Sequence, residues 1–92
     1  MKKLVVTGVW EEANYVAEVY PNPSVNFVTV RFNEASSSRS LELLDATGRS
    51  ISTQSALEKE NSLNVQSYAP GVYLLRISDQ NTIVKILRVV IE

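Results

Sequence analysis

Between residues 27 and 32 the chain alternates: Val28, Val30 and Phe32 fall on one side, Phe27, Thr29 and Arg31 on the other. A period of two predicts a strand with one buried face. The alternating signal starts at Val25 and ends in a polar loop, Asn33-Glu34-Ala35-Ser36-Ser37-Ser38. Leu41 to Leu44 is the next strand, with Leu41 and Leu43 inward. Ile51 to Ser55 returns beside it, and Leu63 and Val65 form a short alternating strand. Val72 to Ser78 and Thr82 to Ile91 are the most β-prone segments, rich in Val and Ile. In the last of these, Lys85 and Arg88 interrupt the apolar run on opposite faces. Residues 1–7 could form one short strand. Residues 8–18 show no clean period and read as a linker, with Trp10 and Tyr15 pinned onto the domain. Ala56 to Asn61 reads as a loop or one frayed helical turn.

The segments between these strands carry turn chemistry. In Asp45-Ala46-Thr47-Gly48-Arg49 the aspartate can bond the backbone two residues on, and Gly48 can supply the positive φ of a type I turn with a bulge. Tyr68-Ala69-Pro70-Gly71 reads as a second turn, with Gly71 in the left-handed region. Asp79-Gln80-Asn81 is a short hairpin turn. Ahead of all these stands Tyr20-Pro21-Asn22-Pro23-Ser24. Each proline fixes φ and removes an N–H donor, so this segment cannot continue a helix or a central strand. Turns every roughly 8–12 residues predict an all-β fold, an antiparallel β-sandwich.

Ninety-two residues suit one domain, and 45% hydrophobic content argues against disorder. The net charge of −1 gives no long-range pull toward nucleic acid. With neither cysteine nor histidine, thiolate nucleophiles, disulfides and the usual general base are excluded. Met1-Lys2-Lys3 before Leu4-Val5-Val6 faintly imitates a signal peptide, but the apolar stretch stops short of the roughly 7–15 residues such a core needs. No apolar run is long enough to span a bilayer as a helix.

Candidate chemistry is thin. A Ser–Lys pair is arithmetically open, but its serines sit in loops without a motif. The carboxylates of Glu11-Glu12 and Glu58/Glu60 read as solvated faces. Asp45 and Asp79 could meet a calcium ion if their turns lay side by side; the simpler reading is that each holds its own hairpin. Ser36-Ser37-Ser38 reads as a flexible loop rather than a modification site. Tyr20, Tyr68 and Tyr73 each neighbour a turn, where a buried ring can give its hydroxyl to a backbone carbonyl. No catalytic, metal-binding or cofactor-binding residue is expected, and no cofactor.

Taken in order, several motifs resemble a known family. Val19-Tyr20-Pro21-Asn22-Pro23-Ser24 resembles the opening signature of the C-terminal sorting domain of the type IX secretion system, found in cargo proteins of Bacteroidetes. The stretch from Leu41 to Gly48-Arg49 is similar to its central strand and Gly-Lys/Arg turn. Tyr68 to Ile77, with Gly71 and Tyr73, is similar to its Gly-x-Tyr strand. Lys85 lies in a last strand close to the terminus. The resemblance spans about residues 8–92. It implies an Ig-like β-sandwich of about seven strands that acts as a non-catalytic sorting label. It also implies passage through the periplasm to the outer membrane and cell surface. A sortase-like protease would then remove the label, and the cargo would be anchored at the surface. The implied partners are the type IX translocon, the sortase-like components and a cargo domain in the parent chain, with the domain itself a monomer or a weak edge-strand dimer. Residues 1–19 then serve as an extension holding the cleavage region, and residues 20–92 as the sorting domain. Pro21, Asn22, Pro23, Gly48, Gly71, Tyr73, Lys85 and Arg88 are the expected recognition residues. The final hairpin, Gly71 to Ile91, is the expected contact surface, with Lys85 and Arg88 guarding an open edge. Two features depart from the family: the terminal Glu92, where many members end in basic residues, and Met1-Lys2-Lys3. The alternative is an Ig-like glycan-binding or adhesion module.

Overall fold

In a computed structural model, which describes residues 4–11, 15–22 and 27–91, the chain forms eight antiparallel strands. They are β1 (Leu4–Glu11), β2 (Ala17–Asn22), β3 (Phe27–Phe32), β4 (Arg39–Asp45), β5 (Ser50–Ser55), β6 (Glu60–Asn64), β7 (Gly71–Asp79) and β8 (Thr82–Ile91). One sheet runs β1-β8-β7-β4-β5 and the other β2-β3-β6. Labelled A to G in chain order, β2 to β8 make sheets ABE and GFCD. That is an Ig-like sandwich with its fourth strand on the GFC side.

The inward faces follow the alternation of the sequence. Val28, Val30 and Phe32 of β3 are buried, as are Leu41 and Leu43 of β4, Leu63 of β6, Leu75 and Ile77 of β7, and Leu87, Val89 and Ile91 of β8. These side chains meet in one core between the sheets. Pro21 lies in β2, an edge strand of the smaller sheet, where a missing N–H can face away from the ladder.

The structure revises one boundary, two loop readings and one placement. Residues 8–11 belong to β1, not to a linker, and they pair with β8 up to Glu11↔Lys85. Ala56, in the segment read as a polar loop, is fully buried. Ser36 and Ser38 are anchored by hydroxyl hydrogen bonds rather than free. Most consequentially, β8 is an interior strand: β1 lies along one side and β7 along the other. The final hairpin therefore offers no open edge. Along β8, a residue that points inward must tolerate the core, and Lys85 shares its side of the strand with Leu87 and Val89.

Candidate functional site

Antiparallel strands send the connections to two opposite ends, and the ends differ in chemistry. The first holds most of the motifs singled out in the sequence. β2 finishes there with Pro21 and Asn22, whose backbones pair with Val28 and Phe27. The β4–β5 turn, the β6–β7 connection and the end of β8 lie at the same end. Pro23, Ser24, Val25, Glu12 and Glu92 lie outside the described residues.

Local bonds build this end. Asp45 Oδ1 accepts from Thr47 N at 2.9 Å, Thr47 Oγ1 at 2.6 Å and Arg49 N at 3.0 Å. The Thr47 hydroxyl, then the Arg49 and Thr47 amides and the Arg49 charge, hold the Asp45 carboxyl below its usual range. Gly48 has φ +88°, the left-handed value the turn needs, and a Cβ there would meet nothing within 4 Å. The register shifts between Leu43 and Leu44, as the expected bulge requires. Tyr73 is buried, and its hydroxyl donates to Ala69 O at 2.5 Å. This is the corner device of Ig-like sandwiches, closing the β6–β7 connection onto β7. Tyr68 lies against Tyr73, ring centroids 6.0 Å apart. Tyr20 instead remains exposed.

Gly71 does not behave as its turn suggested. It opens β7 opposite Ile91, and its φ is not in the positive range. A Cβ at this position would lie 3.9 Å from Tyr73 Cε2, an ordinary contact. Pairing with β8 fixes an extended backbone here, so the left-handed expectation for Gly71 is corrected.

The opposite end is built by long-range contacts around Arg39, which is 3% exposed. Arg39 Nε donates to Ala56 O, and Nη2 donates to Glu34 O and Glu58 O, each at 2.9 Å. The guanidinium carbon sits 3.5 Å from the Phe32 ring centroid. One side chain thus ties β4 to the β3–β4 and β5–β6 loops. The arrangement suits a planar, weakly hydrated cation that must be buried without losing its partners.

Asp79 completes this end. It accepts from Ser36 Oγ at 2.9 Å, Ser38 Oγ at 2.8 Å and Tyr15 Oη at 3.4 Å. Burial pushes its carboxyl up, but the hydroxyls and the charge of Arg39 outweigh this, so the net direction is down. Burial also raises the Tyr15 hydroxyl above 10.0. Asp79 therefore joins β7 to the β3–β4 loop and to the residues ahead of β2, instead of serving its own hairpin alone. The β7–β8 turn beside it places Gln80 and Asn81 at positive φ, 53° and 61°, the pattern of a tight primed hairpin. A cleft of about 250 Å³ opens here, lined by Tyr15, Phe32, Arg39, Asp79 and Gln80 among others. An aspartate held as the anion by three hydroxyls is a poor proton shuttle at neutral pH. Among the described residues no group of three acidic side chains gathers as a metal site would require.

Lys85 and Arg88 stand away from both sets of turns. Lys85 is 8% exposed, and its Nζ donates to Ala17 O at 3.2 Å, linking β8 to the facing sheet. It is a buried cross-sheet contact, not an edge guard. Arg88 is exposed on the outer face, between Thr7 and Leu74 of the neighbouring strands. The two thus occupy opposite faces, as the alternation requires. The sequence reading missed Arg39, although the signal was present: Arg39, Leu41 and Leu43 share one parity, so the inward face of β4 begins at the arginine.

Fold and ends together define an Ig-like module whose conspicuous residues mostly maintain its own shape. The family model described as the secretion system C-terminal sorting domain matches residues 18–92, and the chain belongs to this family, the sorting domains of type IX secretion. The matched segment covers β2 to β8 to within one residue, the seven strands of the Ig-like set. Domains of this family are sorting signals that engage the secretion machinery, deliver to the outer membrane or cell surface, and are in general not catalysts. A search of curated proteins returned no match. No helix among the described residues is long and apolar enough to cross a membrane.

Proposed function

We propose that this chain is the folded label by which a cargo is carried through the periplasm and across the outer membrane. A sortase-like protease then removes it and the cargo is anchored at the surface. The observation that carries the reading is the family match over residues 18–92 on a complete seven-strand sandwich. A label appended to unrelated cargoes must fold without them, and a sandwich with its own core can do so. It works by presenting a fixed surface, without catalysis of its own.

The eight expected recognition residues divide by role in this reading. Gly48 and Tyr73 set the shape of the motif end, and Lys85 holds the two sheets together. Pro21 and Asn22 close β2, the first strand of the matched segment, and Gly71 starts β7 in register with β8. Arg88, exposed on the outer face, is the member best placed to touch a partner. The boundary between extension and label lies near residue 19, and cleavage falls within residues 8–19.

The test is a fusion. A reporter already exported to the periplasm is joined ahead of the full chain and expressed in a host with a type IX system. The reporter is expected at the cell surface, accessible to added protease. Retention in the periplasm, with the domain folded, would overturn the proposal.

A further inference from the structure

β1 stands apart from the other strands. It runs along β8 from Leu4↔Ile91 to Glu11↔Lys85, yet the family match begins only at residue 18. The side of β8 is thus covered by a segment lying upstream of the matched domain. Among the described side chains of β1 the fit is mostly backbone. Val5 is 38% exposed and Val9 56%, while Thr7 and Gly8 are also exposed. Of the β1 side chains described, Val6 alone packs against the core. The described middle of the strand, held by a ladder and one partly buried valine, gives up little apolar burial on leaving.

β8 is held quite differently. Leu87, Val89 and Ile91 are core residues, and β7 pairs with β8 along its whole length. Removing β1 would therefore leave β8 in place with one row of N–H and C=O groups unpaired. Such a row binds an extended chain by strand addition. β1 also has the form of an edge that resists growth. Its register shifts between Gly8 and Trp10, and a bulge at a sheet edge blunts further pairing. The strand-accepting surface is the one beneath it.

We propose that the side of β8 facing β1 is a docking groove for an extended strand, with β1 as its resident and exchangeable occupant. The partner strand is specified by what β1 places there: aliphatic residues opposite Ile91 and Val89, and a small residue opposite Leu87. A component of the secretion machinery supplies such a strand, an assignment that rests on the sorting reading; the groove does not depend on it.

Two measurements on the purified protein test the groove. In the intact chain, hydrogen exchange should release the β8 amides bonded to β1 at least tenfold faster than those bonded to β7. Equal protection would make β1 an integral strand and overturn the proposal. In the second, residues 12–14 are replaced by a protease site, the folded protein is cut there, and a labelled peptide of residues 4–11 is added. The cut protein should take up the peptide and the uncut protein should not, and a peptide carrying Val6→Asp should bind at least tenfold more weakly. A cut protein that refuses the peptide, or that unfolds, would contradict an exchangeable occupant. Neither experiment involves secretion, so their failure would leave the fusion test of sorting untouched.

Discussion

The two ends of the sandwich reach order by opposite means. At the motif end each device closes within a few residues: Asp45 bonds Thr47 and Arg49, Gly48 supplies one special dihedral, and Tyr73 reaches back to Ala69. At the other end Arg39 joins Glu34, Ala56 and Glu58, while Asp79 reaches Ser36, Ser38 and Tyr15. Local devices survive as short motifs and can be recognised in a sequence. A network assembled from distant segments leaves no motif, although it can matter more to stability.

The largest predicted difference lies there. Arg39→Met keeps an apolar stem but takes the guanidinium from the buried Ala56 carbonyl and from the part-buried carbonyls of Glu34 and Glu58, which should cost about 3 kcal/mol in urea unfolding. That is a large share of the roughly 5–15 kcal/mol that holds a domain together. A loss below about 1 kcal/mol would mean that water replaces the guanidinium and the two ends are alike.

At the motif end single changes should cost less. Gly48→Ala forces a side chain into a left-handed φ and should lose about 1 kcal/mol, although no atom blocks the new Cβ. Tyr73→Phe removes the hydroxyl bond to Ala69 and should also lose about 1 kcal/mol, with little change in the core. Both are read from denaturant midpoints at unchanged slope.

A smaller effect is read from pH. The Asp79 carboxyl is depressed in the folded state, so its contribution is fully present above the ordinary value of 3.8 and is lost as pH falls below it. Asp79→Asn should therefore flatten the acid limb of the stability curve, and the difference between the proteins should shrink as pH drops. An unchanged acid limb would remove Asp79 from the network. The smallest expected effect is Gly71→Ala, within about 0.5 kcal/mol of zero, because its backbone is an ordinary strand. The contrast with Gly48→Ala shows whether a glycine matters through its dihedral or only through its place in a motif.

What could be read from the sequence follows the same division. The faces of β3, β4 and β8 were legible because a period of two fixes which side each residue takes, whatever the partner. The Gly48 turn and the Tyr73 corner were legible because their chemistry is local. Strand order was not, because nothing within Leu4–Glu11 states that it will lie along β8. That one pairing turned the expected edge into an interior strand and Lys85 into a core contact. Ser36 and Ser38 looked like loose linker because their acceptor, Asp79, is some forty residues away in sequence. Gly71 misled for the converse reason: a proline–glycine pair suggested a turn, and the ladder to Ile91 overrode it.

Sorting of this kind requires the label to be read as a folded sandwich, and surface delivery of a reporter fused to the Arg39→Met chain tests this most directly. Delivery should fall in step with the folded fraction measured for the same fusion. Wild-type delivery from a chain that is largely unfolded would contradict it.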